Sequence, residues 1–229
     1  MSAYIADTET NTLNGYPIEI AYVPCSFVDG VINVDGSKVF DEYYSCPHPI
    51  SFDAMAVHHI LESDIAEKPS YETFEAPTDC EYLIGHNIDY DIKVLQLGNP
   101  DFKPKAICTL ALSRMAWANA DAHNISALIY MITNGSEKAR ERIRNAHNAK
   151  TDILLTATIL KKICEKLAIR DMASLYQMSE IARIPKTIGF GKHKGSAIKD
   201  LPHDYINWLL RQSELDPYLE KALLKTLKA

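Results

Sequence analysis

The chain has 229 residues, of which 47% are hydrophobic and 24% charged, with a formal net charge of −6. This allows one sizeable core and a small appended unit, leaves no run long enough to span a bilayer, and argues against a general nucleic-acid coat protein. Cys25, Cys46, Cys80, Cys108 and Cys164 are an odd number of cysteines, widely spaced and without a CxxC, so reduced thiols in the cytoplasm are expected instead of disulfides or a zinc site.

The first residues place acids where a signal peptide would carry a basic and then an apolar segment, and none is expected. In YIADTET, Asp7 and Glu9 alternate at the end of an apolar stretch, so on a strand both side chains leave from one face, a place to hold a metal. PIEIAYVPCSFVDGVI then reads as two strands around an Asp29-Gly30 turn, and KVFDEYYS as another strand. Residues 51–65 suit a helical or turn segment carrying His58 and His59. EYLIGHN is a short buried strand leading into a helix over 90–97, and further helices are expected over 109–118, 125–133, 152–166 and 171–183. In the helix over 152–166, apolar positions 153, 154, 157, 160, 163, 164 and 167 follow helical spacing. Strands first and helices later, with one strand between helices, make a mixed α/β layer fold.

The clearest boundary falls at Ile184, Pro185 and Lys186. Beyond it Gly189, Gly191 and Gly195 with Lys192, His193 and Lys194 form a basic turn, followed by a helix from Pro202. The expected division is therefore a main domain over 1–178 and a small module over 186–229. Charge divides similarly: from Ser179 onward nine Lys or Arg stand against six acids, while the rest holds 15 against 24. An acidic body with a basic tail fits a polyanion substrate whose charge is met locally and by cations.

Two further acids stand in distinctive settings, Asp91 in GHNIDYD and Asp152 in HNAKTD. With Asp7, Thr8 and Glu9, then His86, Asn87 and Asp91 in HNxxYD, then His147, Ala149 and Asp152 in HxAxxD, the chain resembles the DEDD exonuclease superfamily, in particular its histidine-bearing branch. Each motif is weak alone; their order and spacing over roughly the first 170 residues are specific. The short C-terminal unit, FGKHKG with LPHDYINWLL, resembles that of the exonuclease X type. The resemblance implies an RNase H-like mixed sheet flanked by helices and a 3′ to 5′ exonuclease acting on DNA. Trimming of RNA is the alternative, since metals on phosphate do not sense the sugar. A non-catalytic, nuclease-like subunit of a replication or repair complex is a third reading, and the chain could act as a monomer or a homodimer.

The chemistry agrees independently. Phosphodiester hydrolysis needs an activated water and relief of charge on the phosphoryl and leaving oxygens, which two hard cations about 4 Å apart supply. Mg²⁺ and Mn²⁺ take oxygen ligands, so four carboxylates and substrate phosphate suffice. The resemblance implies that Asp7, Glu9 and Asp152 hold one of two Mg²⁺ or Mn²⁺ ions and Asp7 with Asp91 the other; Asp89 replaces Asp91 if the register is shifted by two. His147, five residues before Asp152, suits a general base near neutral pH if a loop leads into the helix there.

The resemblance implies substrate contacts among Thr8, Thr10, Leu13, His58, Ile60, His86, Asn87 and Tyr90. Plain alternatives accompany them: strand-end packing for Leu13, bracing of a turn for His86 and Asn87, core packing for Tyr90. Lys138, Arg140, Arg142, Arg144 and Lys150 surround the expected base, where phosphates would pass or where a helix face is simply solvated. Lys192 and Lys194 are expected to grip nucleic acid through the basic turn.

Overall fold

The computed structural model describes every residue except Met1, Asn145, Glu214 and Ala229. Its contacts divide the chain into two compact units, Met1–Ser179 and Glu180–Ala229. The division falls inside the helix Met172–Arg183, a few residues before the Ile184-Pro185-Lys186 boundary expected from composition.

The first unit opens with strand β1 (Ser2–Thr10), β2 (Pro17–Val28), β3 (Val31–Val34) and β4 (Phe40–Tyr43). β2 and β3 join through Asp29 and Gly30, both at positive φ (50° and 72°), as a tight hairpin turn requires. Helices α1 (Phe52–His58) and α2 (Glu62–Ile65) follow, then β5 (Cys80–Gly85) and α3 (Asp89–Leu95). The short strand β6 (Lys105–Cys108) leads into α4 (Thr109–Ala116), α5 (Ile125–Ile132), α6 (Glu137–Ile143), α7 (Ala149–Leu167) and α8 (Met172–Arg183). β6 is not evident from sequence, since four residues show no period and merge with the helix after them.

The sheet runs β3-β2-β1-β5-β6, with β4 also pairing β2. β1 is antiparallel to β2 and parallel to β5, so it lies centrally in a mixed sheet, as expected. Both faces of such a strand are covered: Ile5, Ala6, Ile84 and Ile107 are almost wholly buried. α7 contacts β1 and β2 as well as α4 and α5. Its buried arc is accordingly wider than the stripe read from sequence, taking in Leu155, Thr156 and Ile159, while Leu154 remains 38% exposed. Asn148 caps this helix by accepting from the Thr151 amide.

The second unit has its own core of Ile188, Ile198, Leu201, Ile206, Leu209, Leu219, Ala222 and Leu223. Helices α9 (His203–Leu209) and α10 (Pro217–Leu227) supply much of it, the latter capped by Asp216 with Pro217 at its first position.

Gly85 ends β5 where the chain turns toward α3. A Cβ there would lie 2.6 Å from Ile88 Cδ1 and 2.9 Å from the Ala6 carbonyl oxygen. Gly85→Ala is therefore expected to destabilise the first unit by about 1–3 kcal/mol through overpacking, read as a lower thermal midpoint; an unchanged midpoint would show that this turn has room to relax.

Candidate active site

β5 pairs with β1 only as far as Ile5. Beyond that point the Thr8 amide has no β5 partner, and a buried amide needs one. Asp91 supplies it: its Oδ1 accepts from the Thr8 amide at 3.0 Å and from the Thr8 hydroxyl at 2.8 Å. α3 is thereby pinned against the strand that carries Asp7 and Glu9. Asp91 is 4% exposed, whereas Asp89 lies on the outside of the same helix, which separates the two registers left open by sequence.

α7 brings the last acid. Carboxylate oxygens of Asp7, Glu9 and Asp152 all lie within 4.8 Å of one another, the cluster of this kind found among the described residues. Asp91 is outside that triad, yet it is the foremost charged neighbour acting on Asp7. Asp152 Oδ2 accepts from the His147 amide at 3.3 Å, and Oδ1 is buried with no hydrogen-bond partner. His147 sits in a left-handed bend (φ 66°) just ahead of the α7 cap, with its ring exposed. A loop thus leads into the helix at this point and leaves the imidazole open to solvent.

Glu19 belongs to the same neighbourhood although no motif in the sequence selects it. It pairs with Glu9 across the β1–β2 ladder and is wholly buried. Its oxygens accept from Asn148 Nδ2 at 2.6 Å and from the Ala149 amide at 3.1 Å. Glu19 therefore ties the start of α7, and with it His147 and Asp152, to the sheet. The one available signal was an acid inside the apolar strand PIEIAYV, since buried acids are rare unless paired.

Burial raises the pKa of each of these acids, and acidic neighbours raise Asp7, Glu9 and Glu19 further. Burial, then Asp91 and Glu9, holds Asp7 well above the ordinary carboxylate value. Burial, followed by Asp152, Glu19 and Asp91, pushes Glu9 up to about 8. Asp91 reaches about 7 through burial, against the bonds from Thr8. Glu19 reaches about 7 by burial, opposed by the Ala149 amide, and Asp152 about 6, opposed by His147. Oxygen-only donors, an orphaned buried oxygen and mutual repulsion together fit a hard divalent cation.

Beside the acids lies a pocket of about 370 Å³ whose walls include Thr8, Glu9, Thr10, Leu13, His58 and Tyr90. The Tyr90 hydroxyl is 2.7 Å from that of Thr10, and Leu13 projects with 81% of its surface exposed. His58 Nδ1 accepts from the Ile60 amide at 3.0 Å, and burial lowers its pKa. Val57 also lines the pocket, and Phe52, 87% exposed, opens the same helix; sequence had singled out neither, because an amphipathic pattern marks buried faces and says nothing about useful exposed ones.

Two expected substrate contacts lie elsewhere. Ile60 is 3% exposed in a core cluster with Ile18, Ile50 and Ile65, because the left-handed residue His59 (φ 61°) ends α1 and turns the chain inward. His86 places Nδ1 3.0 Å from the Thr109 hydroxyl and Nε2 2.6 Å from the His123 carbonyl, and burial lowers it to about 4; it braces the turn. Asn87, at φ 80°, is exposed within that turn. Of the basic residues near His147, Lys150 pairs with Asp41 at 3.3 Å, Arg140 with Glu137 at 3.6 Å, and Arg142 donates to the Thr158 hydroxyl. Lys192 and Lys194 lie exposed in the second unit, in a turn with Gly191 and Gly195 at positive φ.

Over 96% of its length the chain is 29% identical to 96% of a protein named Exodeoxyribonuclease 10 from Escherichia coli strain K12. A solved structure, exonuclease X in complex with 5′ overhanging duplex DNA, matches with TM-score 0.56 and 28% identity, over 76% of this chain and 99% of that one. In sequence and in fold the chain is similar to the DEDD exonucleases. It is an exonuclease with an RNase H-like fold, and as such an enzyme dependent on divalent cations, for which the acidic cluster offers the donors. A DNA polymerase III subunit epsilon-like protein of Rhodobacter capsulatus is 26% identical over 74% of the chain and 25% of its own length. Cell-death related nuclease 4, at 13% identity and TM-score 0.54, shares the fold. Residues 176–219 match a separate family, described as "Putative quorum-sensing-regulated virulence factor".

The sign of the pH effect follows from the raised acids. Their protonated forms favour the fold, so the stability they contribute is complete below the ordinary carboxylate pKa and is lost as pH rises through about 6 to 8. In chelator, Asp7→Asn is accordingly expected to melt higher than wild type at pH 8, by about 2–4 °C for each kcal/mol of electrostatic cost removed, with the difference shrinking as pH falls and vanishing only below the ordinary carboxylate pKa of 3.8. Equal midpoints at pH 8 would show that the repulsion is relieved some other way.

Proposed function

We propose that the enzyme removes nucleoside 5′-monophosphates from a 3′ end of DNA, with two Mg²⁺ or Mn²⁺ ions and His147 as general base. The observation that carries this reading is the convergence of the Asp7, Glu9 and Asp152 carboxylates beside an exposed His147 tethered to Asp152. DNA is favoured because the E. coli relative is named for deoxyribonucleic acid and the solved relative holds a DNA duplex.

Asp7, Glu9 and Asp152 would hold one ion, and Asp7 with Asp91 the other. When bound, such ions relieve charge on the phosphoryl and leaving oxygens and make water easier to deprotonate. His147, open to solvent, would take the proton of the attacking water, while its amide keeps Asp152 in place. The pocket lined by Leu13, His58 and Tyr90 would receive the terminal nucleotide, with Leu13 against its base and the Thr10–Tyr90 hydroxyl pair near the sugar. Thr8 acts at one remove by bonding Asp91, and Asn87 shapes the turn before α3. Lys192 and Lys194 would meet backbone phosphates, an electrostatic contribution that weakens with salt. The five free thiols suit a reducing, cytoplasmic setting.

With 5′-labelled single-stranded DNA, duplex DNA and RNA in Mg²⁺ or Mn²⁺, wild type is expected to produce a ladder that shortens from the 3′ end of DNA and is absent with Asp7→Ala. Internal fragments would sink the exonuclease reading, and a ladder on RNA alone would move the substrate to RNA. His147→Ala is expected to lower the rate by roughly 10² to 10⁴; undiminished activity would assign the base elsewhere.

A further inference from the structure

The Glu180–Ala229 unit carries aromatic and basic side chains that hydrolysis does not use. His193, Tyr205 and Trp208 form a ring series, with centroids 4.5 Å apart for the first pair and 5.5 Å for the second, whose planes lie 22° from parallel. Trp208 is nevertheless 52% exposed and Phe190 48% exposed. Both line a pocket of about 370 Å³, with Leu209, Gln212, Ser213 and Leu215. The core of the unit is complete without either ring, so burial does not account for them.

The basic turn meets this ring series. A Cβ at Gly191 would lie 2.8 Å from the Tyr205 hydroxyl, so the backbone of FGKHKG runs tight against the middle ring, and the His193 ring packs against it at a tilt of 55°. Lys186, Lys192, Lys194 and Lys199 are all exposed, and the sequence between the first and the last of them contains no acid. Lysine is depleted at the centres of protein interfaces, whereas a cationic stretch beside accessible rings suits a chain of phosphates bearing flat bases.

We propose that this unit is a second nucleic-acid site that holds a single strand, one base stacking on Trp208 in the pocket that Phe190 also lines and the adjoining phosphates meeting Lys192 and Lys194. It deepens the phosphate-binding assignment of those two lysines and is separate from the acid cluster. Stacking needs an unpaired base, so single strands are preferred over blunt duplex; every base offers a π-face, so sequence matters little.

The test is fluorescence anisotropy of labelled oligothymidylate with the full chain in chelator, which stops hydrolysis. Trp208→Leu, which keeps apolar volume, is expected to weaken binding about 5- to 100-fold, the range for losing one stacked base. Lys192→Ala with Lys194→Ala should weaken it and flatten its salt dependence. Phe190→Ala, outside α9, gives the same readout should Trp208→Leu melt early. Oligouridylate and blunt duplex arms separate the sources, the duplex being expected to bind independently of Trp208. Single-strand affinity unchanged in both Trp208→Leu and Phe190→Ala would overturn the proposal. Hydrolysis of the p-nitrophenyl ester of thymidine 5′-phosphate, which has a single base and no adjoining strand, is expected to be equal in wild type and Trp208→Leu. Its absence in wild type counts against the hydrolytic reading alone and leaves the binding result standing.

Discussion

The burial of five carboxylates in one place is the constraint on which the first unit's site depends. Asp7, Glu9, Glu19, Asp91 and Asp152 all have raised pKa values, and burial is the foremost cause for each. Their tethers are the Thr8 amide and hydroxyl, the His147 and Ala149 amides and the Asn148 carboxamide. These groups fix position without supplying a full positive charge, so the negative charge remains for divalent cations to meet.

The surrounding turns accept strain to achieve this. His59, Asn87 and His147 occupy left-handed backbone without being glycine, at a cost of order 1–3 kcal/mol each. Each stands where the direction of the chain decides what faces the site: His59 sends Ile60 into the core after the pocket-lining end of α1, Asn87 precedes α3, and His147 precedes α7. The stability to hold them comes from the sheet and from α7, whose buried residues Ile153, Ile159, Leu160 and Ile163 are almost wholly shielded from solvent.

The two units solve different problems. The first concentrates negative charge in a covered site, which favours cations and, through them, phosphate. The second builds an independent core within 50 residues and leaves rings and lysines on its surface. Residues 176–219 match a family model of their own, and the core of this unit contains none of the acids of the first.

The sequence by itself determined the local chemistry: two acids on one face of a strand, a histidine in a loop before a helix, the Asp29-Gly30 hairpin, and the helices whose apolar residues repeat every three or four positions. These follow from backbone periodicity and turn preferences, which act over a few residues. What only tertiary structure decided depends on groups far apart in the chain. β6 is a strand because β5 lies beside it. Ile60 is core because α1 ends in a left-handed turn. Asp91, not Asp89, faces β1 because the Thr8 amide outruns β5, and Glu19 holds the start of α7 across 129 and 130 residues of sequence. The need to satisfy buried polar groups decides such contacts, and that need arises only once folding has brought those groups out of water.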